Sequence, residues 1–132
     1  MNTNVITYQL EDSVITITID DNKRNVVSPI MLKQLNAALD YAEKQNAVVV
    51  LTGKGDVFSA GFDLNILKKG VVDALSMISG GFKLSARLLA FPTPVIIACN
   101  GHAMQWVHLF CYLEIIELGP KETITLQPTK SL

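Results

Sequence analysis

The sequence predicts a mixed α/β domain built on a largely parallel sheet. Two alternating apolar runs, residues 5–10 and 14–19, are separated by polar residues and indicate a β-hairpin. An amphipathic helical pattern follows, and then the short apolar run of residues 47–52, which suits a strand covered on both faces. The order strand, helix, strand implies parallel pairing. A chain of 132 residues can bury one core, so we expect one domain.

The first helix has a clear start signal after the polar loop of residues 20–25. Ser28 offers an N-cap hydroxyl and Pro29 suits the first helical position. We expect the helix to reach about Gln45 and to pack on the sheet. The apolar residues that recur on one face are Met31, Leu32, Leu35, Ala38, Leu39 and Ala42.

The segment after Gly53 predicts a glycine-punctuated loop over residues 54–61 and a short helix over residues 62–67. A second helix is expected from about Val71 to Ala90, because Pro92 and Pro94 forbid its continuation. Residues 95–99 then return to the sheet as a β-branched strand, and the chain turns at Asn100.

The composition narrows the classes of partner. Eleven basic and twelve acidic residues leave a net charge of −1, which gives no electrostatic footprint for nucleic acid or an anionic membrane. The apolar stretch of residues 103–118 is interrupted by polar residues and is shorter than a membrane span. Cys99 and Cys111 lack CxxC spacing, which favours free thiols in a reducing compartment. No secretory signal is visible, so we expect a cytoplasmic protein that binds small molecules or protein.

Two loops are candidate ligand sites because they follow strands expected to be neighbours in the sheet. They span residues 58–64 and 100–104, and open α/β sheets place ligands at the carboxyl ends of their strands. In each loop a small residue permits close approach of the backbone, and unpaired N–H groups can stabilise an oxyanion. A glycine after a strand also marks ordinary turns, so loop shape alone leaves both interpretations open.

The combination of VVVLTGKGDVFSAGFDL with the later FPTPVIIACNGHAM resembles the crotonase superfamily, the enoyl-CoA hydratase/isomerase family. The resemblance covers Val5 to Met104 and corresponds to the N-terminal half of the family pattern. It implies a crotonase-like fold of ββα units, truncated after that half. It also implies binding of acyl-CoA thioesters, with an oxyanion held between two backbone N–H groups and no cofactor besides coenzyme A itself.

The resemblance also assigns site residues. The first oxyanion donor would be the backbone N–H of Phe62, and the position of the second donor is Trp106. Residues implied to line the acyl-CoA site are Asn25, Val26, Val27, Ser59, Ala60, Gly61, Asp63, Leu64, Gly101, His102 and Ala103. For Asp63 we prefer helix capping to ligand contact, and for His102 a lining role to that of a base. Lys23 and Arg24 fit CoA phosphates or, as we prefer, a solvated loop.

The resemblance stops after Met104. Leu109 occupies the position of the first hydratase glutamate and cannot exchange a proton, so general acid–base hydration has no visible agent. We therefore expect residues 1–104 to form the N-terminal part of a crotonase-like domain and residues 105–132 to be a non-family tail. One hypothesis for the tail is a frameshift near the Met104 codon. The resemblance implies a family that forms trimers or hexamers, and we expect this chain to lack the C-terminal assembly region.

Three functions remain as alternatives. The leading one is an enoyl-CoA hydratase/isomerase-family protein that acts on or binds acyl-CoA, with impaired activity in this chain. The second is a non-catalytic protein that binds acyl-CoA or modulates another subunit. The third is a ClpP-like peptidase on a related fold, which requires a serine, histidine and acid arrangement that the sequence does not show.

Overall fold

A computed structural model describes residues 4–98 in full, together with the backbone pairing of residues 102–103 and 116–117. The described residues form three helices, α1 (Pro29–Lys44), α2 (Leu64–Leu67) and α3 (Val71–Leu89). The main sheet has the strand order β1 (Ile6–Glu11), β2 (Val14–Ile19), β3 (Val48–Gly53), β5 (Val95–Ala98) and β7 (Ile116–Glu117). A second sheet pairs β4 (Val57–Ser59) with β6 (His102–Ala103).

The strand pairing confirms the predicted hairpin and the predicted parallel sheet. β1 pairs antiparallel with β2 from Ile6↔Ile19 to Glu11↔Val14, and the turn places Asp12 and Ser13 at positive φ. β2, β3, β5 and β7 are all parallel neighbours. Their apolar side chains form the centre of the core, where Ile15, Ile17 and Leu51 are fully buried. The fold is thus α/β, as the sequence predicts.

Helix α1 begins and packs as its sequence indicates. The Ser28 side chain accepts a hydrogen bond from the Met31 N–H at 3.2 Å, and Pro29 occupies the first turn. The buried residues of α1 are the six that the helical periodicity selects: Met31, Leu32, Leu35, Ala38, Leu39 and Ala42. The apolar stripe therefore covers the sheet, and the helix ends with Gln45 as its C-cap.

Helix α3 packs on α1 through both apolar and charged groups. The Arg87 guanidinium donates to Asp40 Oδ1 at 2.6 Å and to the Asn36 carbonyl oxygen at 3.1 Å, both in α1. The opposite side of α3 leaves large apolar side chains in solvent, among them Val72 at 82% exposure and Phe82 at 58%. Helix α3 therefore carries apolar side chains on its exposed face as well as on its buried face. Within the described part of the chain, no helix is both long and apolar enough to cross a membrane.

Two details differ from the sequence prediction. The segment predicted as loop over residues 54–61 contains β4, whose pairing partner β6 lies more than 40 residues later in the chain. The short helix begins at Leu64 rather than Phe62, since Asp63 is its N-cap and Phe62 is bridged to Val27 in an extended arrangement. Both differences arise from long-range pairing, which local periodicity does not encode.

The burial of α1 leads to a stability prediction. Leu35 is fully buried, so Leu35→Ala should lower the free energy of unfolding by about 2–5 kcal/mol through lost apolar burial and a residual cavity. Lys33→Ala, on the exposed face of the same helix, should change it by less than about 0.5 kcal/mol. Urea unfolding followed by circular dichroism measures both; equal effects would contradict the packing of α1 on the sheet.

Candidate functional site

The two loops singled out in the sequence begin side by side at one edge of the sheet. β3 and β5 are parallel neighbours, with Thr52 opposite Ala98 at the last pair of the register. The Thr52 hydroxyl donates to the Ala98 carbonyl oxygen at 2.9 Å, which ties the two strand ends together. Because parallel strands finish at the same edge, the segments that follow them leave the sheet at adjacent points.

The pairing of β4 with β6 joins the two loops further from the sheet. Val57 lies opposite His102 and Ser59 opposite Ala103, with a register irregularity between the pairs. The first loop therefore runs parallel to the backbone that carries His102 and Ala103. The predicted site residues Gly101 and Trp106 lie outside the described residues.

The backbone around Phe62 is held by a parallel bridge to Val27. The Val27 N–H donates to the Gly61 carbonyl oxygen at 2.8 Å, and the Asp63 N–H donates to the Val27 carbonyl oxygen at 2.9 Å. In this parallel bridge Val27 uses its own N–H and C=O to bond Gly61 and Asp63, the two neighbours of Phe62. The N–H and C=O of Phe62 therefore point to the opposite side. Among the described residues, no hydrogen bond engages the Phe62 N–H. One amide of the loop is thereby left for another partner.

Asn25 connects the loop before α1 to the start of β4. Its side chain is buried, with Nδ2 donating to the Val57 carbonyl oxygen at 2.8 Å and Oδ1 accepting from the Asp21 N–H at 3.1 Å. The backbone of Asn25 has φ 54°, a left-handed conformation that Asn tolerates better than most residues. The side chain of this predicted ligand residue is thus committed to protein backbone.

Asp21 organises the same loop from the other direction. Its carboxylate accepts hydrogen bonds from the N–H groups of Lys23 at 2.7 Å, Asn25 at 2.9 Å and Val26 at 3.0 Å. The three donors form a small anion-binding concavity that the protein fills with its own carboxylate. The side chains of Lys23 and Arg24 are exposed beside it. The sequence prediction did not include Asp21. Its position four residues before Asn25 was the signal that could have indicated a hydrogen bond between them.

The first loop itself is compact. Ser59 is buried, and its Oγ accepts from the Gly61 N–H at 3.2 Å. Gly61 has φ 89°, which side chains disfavour, and the Ala60 N–H donates to the Arg24 carbonyl oxygen at 2.9 Å. Asp63 Oδ1 accepts from the Asn65 N–H at 2.9 Å, so the preferred capping role of Asp63 is confirmed.

The first loop exposes an apolar side chain among polar ones where it enters α2. Leu64 is 65% exposed, and Asn65 beside it is also exposed. No group of metal-ligating side chains occurs in the described part of the chain. The first loop therefore presents the Phe62 N–H close to an exposed apolar side chain. This arrangement suits polarisation of a ligand carbonyl by N–H groups.

The sequence profile of the enoyl-CoA hydratase/isomerase family matches residues 9–120. A probable enoyl-CoA hydratase of Bacillus subtilis is 31% identical over 105 residues, which are 76% of this chain and 41% of that protein. The chain thus spans less than half the length of that relative.

Solved structures show the same similarity. A probable enoyl-CoA hydratase of Mycobacterium tuberculosis superimposes with a TM-score of 0.75 and 46% identity, over 78% of this chain and 44% of that one. An enoyl-CoA hydratase/isomerase family protein of Pseudomonas syringae gives a TM-score of 0.81 and 36% identity, over 87% of this chain and 50% of the other. The described sheet and helices therefore correspond to a part of these larger folds.

The contacts of Asn25 lead to a second stability prediction. Asn25→Ala removes the partner of the Val57 carbonyl and places alanine at positive φ. Asn22→Ala is a matched control, because exposed Asn22 has φ 62° and shares only the backbone cost. The Asn25 variant should lose about 1–3 kcal/mol more in the free energy of unfolding than the Asn22 variant. Urea denaturation measures the difference, and a value near zero would show that the buried amide does not hold the loop.

Proposed function

Because the chain belongs to the enoyl-CoA hydratase/isomerase family, we propose that it binds acyl-CoA thioesters and polarises the thioester carbonyl with the Phe62 N–H. The observation that carries the proposal is the bridge between Val27 and Phe62. It uses the carbonyl of Gly61 and the N–H of Asp63, and it turns the Phe62 N–H to the other side of the loop. We take that side to be the one on which β6 runs, since residues 24–27 occupy the first side.

The chemistry follows from the direction of this amide. A carbonyl oxygen that gains negative charge in a reaction is stabilised by N–H donors that are already oriented and need no reorganisation. The neighbouring Phe58 and Ser59 are fully buried, so water is partly excluded around the Phe62 N–H. A lower local dielectric strengthens a hydrogen bond from this donor. A second donor is needed for a complete oxyanion hole. By position this is the N–H of Trp106, since any residue other than proline supplies one.

The CoA portion of the ligand is proposed to lie along the first loop and the segment before α1. The residues involved would be Asn25, Val26, Val27, Ser59, Ala60, Gly61, Asp63 and Leu64, with Gly101, His102 and Ala103 on the acyl side. The side chains of Asn25 and Asp63 are engaged by protein backbone, so their part in binding would be to shape the loop. Ligand contact would then come chiefly from main-chain atoms.

The reaction that follows carbonyl polarisation depends on a proton-transferring group. Leu109 stands where hydratases of the family carry the first glutamate and has no exchangeable proton. We therefore propose binding and polarisation, with hydration impaired in this chain. The alternative is a protein that binds acyl-CoA without turnover or modulates another subunit. The division of the chain at Met104 stays a prediction.

Calorimetric titration distinguishes these functions when it is combined with an absorbance assay. Crotonyl-CoA should bind with a Kd weaker than about 1 µM, because the resemblance that implies the acyl-CoA pocket covers only residues 5–104, and free CoA should bind more weakly still. Loss of the conjugated thioester absorbance on incubation would show turnover. Binding without that loss would favour the non-catalytic alternative.

Controls for this titration are provided by chemistry rather than mutation. Acetyl-CoA tests the acyl contribution, and an S-butyl CoA thioether, which lacks the thioester carbonyl, tests the contribution of polarisation. Sub-micromolar binding that is equal for all these ligands would contradict a carbonyl-directed site. No detectable binding at all would contradict the proposed function.

A single-atom change tests the donor itself. Semisynthesis with the α-hydroxy analogue of Phe62 replaces its N–H by an ester oxygen and keeps the side chain. The ester also makes the Gly61 carbonyl a weaker acceptor for the Val27 N–H, so the free energy of unfolding should fall slightly, while any turnover should fall by roughly 10²- to 10³-fold. The same change at Asp63 is the matched control, because it deletes the bond to the Val27 carbonyl and should lower stability more. The reverse pattern would exclude Phe62 as the donor.

A further inference from the structure

Two adjacent glycines stand in the middle of α3, where helix propensity disfavours them. Gly80 and Gly81 lie within the 19-residue helix Val71–Leu89. A glycine in a helix interior is destabilising relative to alanine, because it loses more backbone freedom on folding. A compensating contact is therefore expected on the faces where side chains are missing.

The two glycines face different parts of the molecule. A Cβ atom on Gly80 would come within 3.0 Å of the Leu32 Cδ1 methyl on α1. A Cβ atom on Gly81 would come within 2.8 Å of both Cε1 and Cζ of the Phe62 ring, closer than real Cβ contacts. Gly80 thus faces the end of a flexible side chain, whereas Gly81 faces the tip of a planar ring.

Gly81 is also fixed from within its own helix. It is buried, and its carbonyl oxygen accepts a hydrogen bond from the buried Ser85 hydroxyl at 3.0 Å. Leu84 and Leu88, on the same face of α3, are buried in the core. The helix surface that meets the ring of Phe62 is consequently part of the packed interior.

Phe62 is held at three points by these contacts. Its two flanking peptide groups are bonded to Val27, and its ring lies against Gly81 of α3. A phenylalanine side chain has only two torsions, so displacement of the ring tip acts on the Cα position and on the attached peptide planes. The direction of the Phe62 N–H therefore depends on how closely α3 approaches.

We propose that Gly81 is a positioning residue for the oxyanion donor. By lacking a side chain it seats the Phe62 ring, and the seated ring fixes the direction in which the Phe62 N–H points. The proposal rests on the proposed function, since it assumes that this N–H polarises a thioester carbonyl. It adds a residue that touches no ligand and lies 19 positions away in the sequence.

Infrared spectroscopy of a bound carbonyl tests the positioning. The probe is butyryl-CoA labelled with ¹³C at the thioester carbonyl, bound to the full chain, and its stretching frequency falls when the carbonyl accepts hydrogen bonds. Unfolding releases the ligand and lowers the intensity of the shifted band, whereas a change in polarisation moves the position of that band. Gly81→Ala should return the bound frequency toward that of free butyryl-CoA and weaken any turnover by at least about tenfold, part of the 10²- to 10³-fold cost of losing a donor.

Two further variants separate positioning from a general effect on the helix. Gly80→Ala gains the same helix propensity but meets only a methyl group, and should leave the carbonyl frequency unchanged. Phe62→Leu removes the ring tip. In that background Gly81→Ala should change the bound carbonyl frequency less than it does in the wild type. That difference is a double-mutant coupling between Gly81 and the ring.

The outcomes are distinguishable from failure of the proposed function. A wild-type complex without a carbonyl shift, or no binding of butyryl-CoA, would overturn the proposed function and this inference with it. A shifted wild-type band that Gly81→Ala leaves in place would overturn this inference alone, as would an equal loss in Gly80→Ala. If Gly81→Ala does not fold, the double variant decides: a folded double variant with a shifted band supports the coupling, and an unfolded one overturns it.

Discussion

The bridge between Val27 and Phe62 is the constraint on which the candidate site depends. Two hydrogen bonds of 2.8 and 2.9 Å fix the peptide groups on both sides of Phe62 to a residue next to the N-cap of α1. Six buried side chains anchor α1 on the sheet, so the bridge to Val27 connects the loop to the packed core. The Phe62 amide, which bonds to none of the described residues, is thus positioned by packing far from it. A loop held only by its own turns would not give an N–H group a fixed direction.

The polar segment before α1 is a structural support for this bridge. The Asp21 carboxylate gathers three backbone N–H groups, and Asn25 reaches from the same segment to the carbonyl of Val57. From the sequence, Lys23 and Arg24 suggest a solvated loop or a phosphate contact, and Asn25 a ligand contact. The hydrogen bonds of Asp21 and Asn25 satisfy backbone groups that burial would otherwise leave costly. Any anionic ligand at this point would meet the exposed Lys23 and Arg24 side chains, because Asp21 already fills the backbone concavity.

Much of the fold could be predicted from local pattern, and the site only in outline. The hairpin, the N-cap at Ser28 and the buried face of α1 follow from periodicity and capping chemistry that act over a few residues. The pairing of β4 with β6 and the contact of Phe62 with Gly81 join residues far apart in sequence. A central Gly-Gly pair in an otherwise helical segment was the visible signal for that contact. Its partner could be identified only from the three-dimensional arrangement.

Polarisation of a carbonyl and transfer of a proton make different demands on a sequence. A backbone N–H is present at every residue except proline, so the donor role proposed for Phe62 is compatible with its bulky ring, for which the missing side chain of Gly81 leaves space. Proton transfer needs a particular side chain, and Leu109 cannot supply it. The two properties are therefore separable in one chain. The proposed polarisation depends on the Val27 bridge and not on the residue at the position of the acid or base.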